Sequence, residues 1–120
     1  MLFRSAKLTE AEGIVSAALK QAQAIWIEDG NFSNATCALV GIIDEDTSDT
    51  VVQNNDWTFT CTGFNPATSG GTDYQSFKMS AVGIDGLANA GLSLNKDNAD
   101  TNCFIDGPTG KITACTKISS

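Results

Sequence analysis

One stretch limits the fold of this chain more than any other, the opening segment Ser5 to Gly30, SAKLTEAEGIVSAALKQAQAIWIEDG. Leu8, Ala11, Val15, Ala18 or Leu19, Ala22, and Ile25 or Trp26 recur at the three-to-four spacing that lines one face of an α-helix. About 24 helical residues rise roughly 36 Å, close to the expected width of a domain of this size. A helix over about residues 5–29 therefore crosses the whole molecule and offers one apolar stripe for the rest to cover. Ser5 and the Thr9-x-x-Glu12 pattern compete as its N-terminal cap, and Gly30 supplies the left-handed position that ends it. Gly13 falls inside the helix at a cost of about 1 kcal/mol relative to Ala, and simple tolerance is its expected explanation. Trp26 and Ile27 are expected to face the sheet on one side and the following loop on the other.

Nothing downstream repeats that periodicity. Asn31 to Thr36 (NFSNAT) is turn chemistry, with Phe32 as a plug beneath it. Its two Asn-x-Ser/Thr triplets, at Asn31 and Asn34, read as turn residues rather than glycan acceptors. Cys37 to Ile43 (CALVGII) is an apolar run of strand length, followed by the acidic loop Asp44–Asp49. That loop lacks the EF-hand pattern, since Asp49 and Asn55 stand where Gly and Glu are required. Trp57 to Thr62 alternates large apolar residues with Thr, the strongest strand signal in the chain, and places Trp57, Phe59 and Cys61 on one face. A Gly/Pro/Ser connection from Gly63 to Thr72 leads to a second long strand, Tyr74 to Ile84, with Phe77, Met79, Ala81 and Gly83 on one side. Asp85-Gly86 marks a turn, Leu87 to Asn95 reads as strand or loop, and Lys96 to Asn102 as polar loop. Residues 102–117 read as a hairpin turning at Asp106-Gly107-Pro108 and Gly110. The fold class is α+β: a long N-terminal helix packed across an antiparallel sheet, closed by a C-terminal hairpin or loop. With 120 residues it forms one domain, residues 1–120, with strands and loops over 37–117.

The four cysteines, Cys37, Cys61, Cys103 and Cys115, are even in number, widely spaced and accompanied by no His. That argues for two disulfides and against a zinc site, and so for an oxidising compartment. Four cysteines permit three pairings. A hairpin symmetric about Thr109 sets Cys103 opposite Cys115, leaving Cys37 with Cys61; the spacing alone does not exclude the other two pairings. On the chain-entropy account such bridges contribute about 3 and 3.5 kcal/mol.

Charge removes whole classes of partner. Seven Lys and Arg against 14 Asp and Glu give a net charge of −7, so neither nucleic acid nor an anionic membrane surface is an expected ligand. The absence of His removes Ser-His-Asp and Cys-His catalysis. The spacing Gly83, Gly86, Gly91 fits no nucleotide-binding motif, and the cysteines form no Cys-x-x-Cys. No catalytic residue, cofactor or metal is expected, and the chain does not read as an enzyme. The start Met1-Leu2-Phe3-Arg4 has no apolar signal region.

The helix carries one more signal. Ala6-Lys7-Leu8-Thr9-Glu10-Ala11-Glu12, followed by Lys20-Gln21-Ala22-Gln23-Ala24-Ile25-Trp26-Ile27-Glu28-Asp29-Gly30-Asn31-Phe32, resembles the exposed half of the N-terminal helix of bacterial type IV pilins, those of cyanobacteria included. The related pseudopilins of type II secretion share that ending. The resemblance covers about the first quarter of the chain and extends to the order of elements: long helix, strands, then a C-terminal cysteine pair. It implies a structural subunit of a cell-surface filament serving adhesion, motility or DNA uptake. It further implies an apolar continuation of the helix before Phe3 and Arg4, which holds the subunit in the inner membrane before assembly. The family's C-terminal bracket maps onto Cys103 and Cys115; the additional pair Cys37 and Cys61 departs from the single bridge of many pilins. Identical or related pilins and the assembly machinery are the implied partners. Leu8, Val15, Ala18, Ala22 and Ile25 are expected to face the chain's own sheet, and Phe3, Arg4, Lys7 and Glu10 the neighbouring subunits. The alternatives are a pseudopilin and, in a different class, a secreted binding module stapled by disulfides.

Overall fold

The computed structural model describes residues 2–42, 49–64, 74–94 and 103–118, with the backbone alone for residues 2–5. A long helix, α1 (Leu2–Asp29), lies against an antiparallel sheet. Among the described residues the sheet contains β1 (Val51–Gln53), β2 (Trp57–Phe64), β3 (Ser76–Gly83), β4 (Ser93–Leu94), β5 (Phe104–Asp106), β6 (Ile112–Thr113) and β7 (Lys117–Ile118), and a one-turn helix, α2 (Gly86–Asn89), follows β3. The main path runs β1-β2-β3-β4-β7, while β5 pairs with β3 and carries β6. The α+β class and the helix-on-sheet arrangement are those the periodicities predict. At 1.5 Å per residue the helix is about 42 Å long, against a longest molecular dimension of 41 Å.

The core forms where the helix stripe meets the inward face of the sheet. Leu8, Ala11, Val15, Ala18, Leu19 and Ala22 are all buried, so both alternatives at the 18/19 position are used; Ile25 and Trp26 are half-buried against the same core. Opposite them stand Trp57, Phe59 and Cys61 of β2, Phe77, Met79 and Ala81 of β3, Leu94 of β4 and Ile105 of β5. Alternation places them there: Cys61 pairs with Met79, Phe59 with Ala81, and Phe77 with Ile105, each pair on one side of the pleat. Burying a large apolar side chain contributes about 1.5–3 kcal/mol, so these two strands and the helix stripe hold most of the fold. Among the described residues three buried polar atoms, Trp57 Nε1, Ser76 Oγ and Ser93 Oγ, have no hydrogen-bond partner. Each costs about 1–3 kcal/mol of desolvation.

The helix ends where Gly30 takes φ 76° and donates its N–H to the Trp26 carbonyl at 2.8 Å. Phe32 then folds under that end, fully buried, with ring centroids 5.4 Å from Trp26 and 5.7 Å from Phe77. Asn31 Oδ1 accepts from the Ser33 N–H and Oγ–H, at 3.0 and 2.7 Å, forming the turn that the NFSNAT composition predicts. Four expectations ahead of the C-terminal hairpin need correction. The helix already includes Leu2 to Ser5, so Ser5 is interior and neither it nor Thr9 is a cap. Ile27 is 79% exposed and faces solvent rather than the following loop. The chain turns at Asp85 as expected, but the segment from Leu87, expected as strand or loop, begins inside the short helix α2.

The fourth is the run Cys37–Ile43, which is not a strand over the described residues. Thr36 Oγ1 accepts from the Leu39 N–H at 3.2 Å, Val40 N–H donates to the Thr36 carbonyl at 3.2 Å, and Gly41 closes the segment at φ 91°. An apolar run this short does not distinguish a strand from a helical turn. The Thr at its head and Gly at its foot are turn-starting and turn-ending residues, and they prevail here. The acidic loop, apart from Asp49, lies outside the described residues, as do most of the 63–72 connection and the 96–102 loop.

Both disulfides are present, Cys37–Cys61 and Cys103–Cys115. The first ties the 36–42 turn to the centre of β2. The second closes the C-terminal hairpin, in which Phe104 pairs with Thr113 and Ile105 with Ile112. The hairpin thus turns between Pro108 and Thr109 rather than at Thr109, and Cys115 reaches Cys103 diagonally. Asp106 builds the turn, its Oδ2 accepting from Thr109 N–H at 3.1 Å and Thr109 Oγ1–H at 2.6 Å.

Candidate functional site

The surface with most to offer a partner is the side of α1 turned away from the sheet. At 100° per residue, Ala6, Gly13, Ala17 and Ala24 fall close to one line opposite the buried stripe, and all four are exposed. A Cβ added at Gly13 would meet nothing within 4 Å. Glu10, Lys20, Gln21, Glu28 and Ile27 border this line and are exposed as well. The result is a shallow, low-relief face bordered by charges, reaching as far as Ile27. Small side chains let another backbone approach closely, whereas long ones hold it off.

The four positions predicted to contact other subunits are placed differently. Phe3 and Arg4 belong to the first turn of α1, and their side chains lie outside the described residues. Glu10 sits on the outward side, its side chain about half exposed. Lys7 turns toward its own sheet: its ammonium donates to Asp56 Oδ2 at 2.9 Å and lies 3.8 Å from Glu10 Oε2. The hydrogen bond to Asp56 outweighs partial desolvation and raises the Lys7 pKa above the ordinary lysine range. Asp56 is positioned by the β1–β2 turn, where Asn54 Oδ1 accepts from the Asp56 and Trp57 N–H groups at 2.9 and 2.8 Å.

A second ion pair answers the first. Lys117 Nζ of β7 lies 3.5 Å from Glu12 Oε2. Lys7 and Glu12 stand on opposite flanks of the buried stripe, about 140° apart around the helix, and their partners lie at opposite edges of the sheet. Sequence reasoning did not find either partner. Lys7 and Asp56 are 49 residues apart, and a solvated charge in an acidic chain gives no sign of which opposite charge it will meet. The exposed alignment of Ala6, Gly13, Ala17 and Ala24 is likewise not among the positions the sequence singled out, although the complement of the apolar stripe points to it.

Two small cavities lie where α1 meets the 40–42 turn, of about 170 and 190 Å³, and both touch Ile14, Gly41 and Ile42. The first also reaches Gln53, Asn54 and Phe59, the second Ala17 and Gln21. Among the described residues no group of His, Cys, Asp or Glu is arranged to hold a metal ion, and no helix is long and apolar enough to cross a membrane. Comparison with protein-family models, with curated proteins and with solved structures finds no match to this chain.

Proposed function

We propose that this chain is the globular head of a type IV pilin-like subunit, with a structural rather than a catalytic role. The observation that carries the reading is the two-sidedness of α1. One face of a 28-residue helix is committed to the sheet, while Ala6, Gly13, Ala17 and Ala24 leave the other open and low along most of its length. Such a helix can pack against others of its kind while the sheet and loops point outward. The order of elements adds support: long helix, antiparallel sheet, C-terminal hairpin closed by Cys103–Cys115. Two disulfides agree with an oxidising, extracellular setting. In this reading the subunit waits in the inner membrane on an apolar continuation of α1 and is then drawn into a cell-surface filament with identical or related subunits. A secretion pseudopilus would use the same helix face.

The reading is tested with Ala17→Glu and Ala24→Glu introduced together in the full-length chain. Both sites are exposed, so the head should keep its melting temperature within the range of ordinary surface substitutions, about ±0.5 kcal/mol. Filaments should be absent by electron microscopy. Normal filaments with a normally folded head would overturn it. So would a gene whose codons before Leu2 encode a signal region with a small-residue cleavage site, in place of a Gly-Phe-Thr-Leu-Ile-Glu-like junction and an apolar run.

A further inference from the structure

The two disulfides occupy different surroundings. Cys37 and Cys61 are both fully buried in the core, and the bridge joins the 36–42 turn to the middle of β2, the strand fully paired with β3. A reductant can reach those sulfurs only if the core opens. Cys103 is likewise buried, but Cys115 is half-buried at the rim, in the link between β6 and β7. Thiol–disulfide exchange requires a thiolate to reach one of the two sulfurs, so access governs its rate.

What the outer bridge holds is also different. Beyond Gly110 the chain is held by short pairings at the rim. Two residue pairs join β6 to β5, two join β7 to β4, the Lys111 carbonyl accepts from the Asp106 N–H at 2.9 Å, half-buried Ile112 packs on the core, and the Lys117–Glu12 pair is partly exposed. Exposed pairs contribute at most about 1 kcal/mol. By contrast β5 is anchored independently, through three residue pairs with β3 and the fully buried Ile105. The polypeptide on the N-terminal side of the bridge is therefore fixed by a longer pairing and a fully buried side chain, whereas on the C-terminal side the bridge reinforces two-residue pairings and a half-buried side chain.

We infer that Cys103–Cys115 is a redox latch that opens alone, freeing residues 111–118 from the sheet while Cys37–Cys61 and the helix-on-sheet core stay intact. The opening agent is a dithiol. Its thiolate attacks Cys115 Sγ, the S–S bond breaks, and Cys103 leaves as the thiolate and takes up a proton. The second thiol then displaces Cys115 from the mixed disulfide, so that the dithiol ends as a disulfide and the protein has gained two electrons and two protons. Once β7 leaves, the Ser93–Leu94 edge of β4 loses its partner strand and becomes available to another strand.

Dithiothreitol is the probe. The native protein is titrated with it, quenched with iodoacetamide and mapped by mass spectrometry, with amide hydrogen exchange measured on the same samples. The expected result is a range of dithiothreitol concentrations in which Cys103 and Cys115 are fully alkylated and Cys37 and Cys61 are not. In that range protection is lost over 112–118 and kept in β2 and β3. Simultaneous alkylation of all four cysteines overturns the inference. So does selective opening that leaves 112–118 protected, or that abolishes protection in β2 and β3 as well.

Discussion

Gly107 should tolerate no side chain, and the reason lies in one indole ring. A Cβ built at Gly107 would lie inside the contact distance of Trp26 Cε3, Cδ2 and Cζ3, where carbon atoms ordinarily stand 3.5–4.0 Å apart. Neither party can easily yield. The Gly107 N–H is fixed to the Gln75 carbonyl at 2.8 Å, and Trp26 rests on Phe32, which rests on Phe77. Overpacking of this kind costs about 1–3 kcal/mol, and a rigid ring backed by two further rings places Gly107→Ala in the upper half, about 2–3 kcal/mol. With an unfolding entropy near 2.1 cal/mol/K per residue, that lowers the melting temperature of a domain of this size by about 8–12 °C. The assay is thermal unfolding followed by far-ultraviolet circular dichroism. The control is the same substitution in a Trp26→Ala background, where the obstacle is gone. There Gly107→Ala should cost only a few tenths of a kcal/mol, a coupling of about 2 kcal/mol between two residues in contact. A drop of under about 2 °C in the wild-type background, or an equal drop in both backgrounds, would refute the steric argument.

Two further substitutions probe the helix. Gly13→Ala should act in the opposite direction, raising stability by about 1 kcal/mol and the melting temperature by about 4 °C, because the added methyl meets open solvent and only helix propensity changes. Lys7 tests the ion pair with Asp56 by its pH dependence. Because the folded-state pKa is raised, the stabilisation is fully present below the ordinary lysine value of 10.5 and is lost as pH rises through the higher folded value. In urea unfolding, the wild type should therefore exceed Lys7→Met in stability at pH 7 and approach it above that value. A difference that stays constant across the lysine range would assign it to packing of the side-chain stem.

The sequence was most legible where one physical period governs a long stretch. The spacing of Leu8, Ala11, Val15 and Ala22 named the buried face of α1, and the alternation of Trp57, Phe59 and Cys61 named that of β2, because burial on one side leaves no other register. Phe32 could be read as a plug because an isolated aromatic ring within turn residues has nowhere else to go. The run after Cys37 is ambiguous in the sequence because five or six apolar residues satisfy a strand and a helical turn equally, and the decision falls to Thr36 and Gly41 at its ends. Of the candidate surface, the alignment of Ala6, Gly13, Ala17 and Ala24 follows from the helix period alone. The partners of Lys7 and Glu12 do not: they depend on the sheet order, which places the β1–β2 turn and β7 at opposite edges. Strand order in a mixed-connection sheet is a global property, and no local pattern in the chain reports it.

The alanines at positions 11, 18 and 22 let α1 sit close to the sheet, while Leu8, Val15 and Leu19 between them reach into the core. Packing of that kind resists lifting and sliding more than it resists a small roll about the long axis. Further resistance to torsion comes from the sides and the end. Lys7 braces one flank, Glu12 the other, and the indole of Trp26, seated over Gly107, acts as a key at the far end. These three points set the angle at which Ala6, Gly13, Ala17 and Ala24 face outward, much as bearings set the heading of a shaft. If that face meets other subunits, a few degrees of roll at the head would be repeated at every contact along an assembly. Two ion pairs at the helix flanks, one part-buried and one more exposed, would then act chiefly as adjustments of pitch.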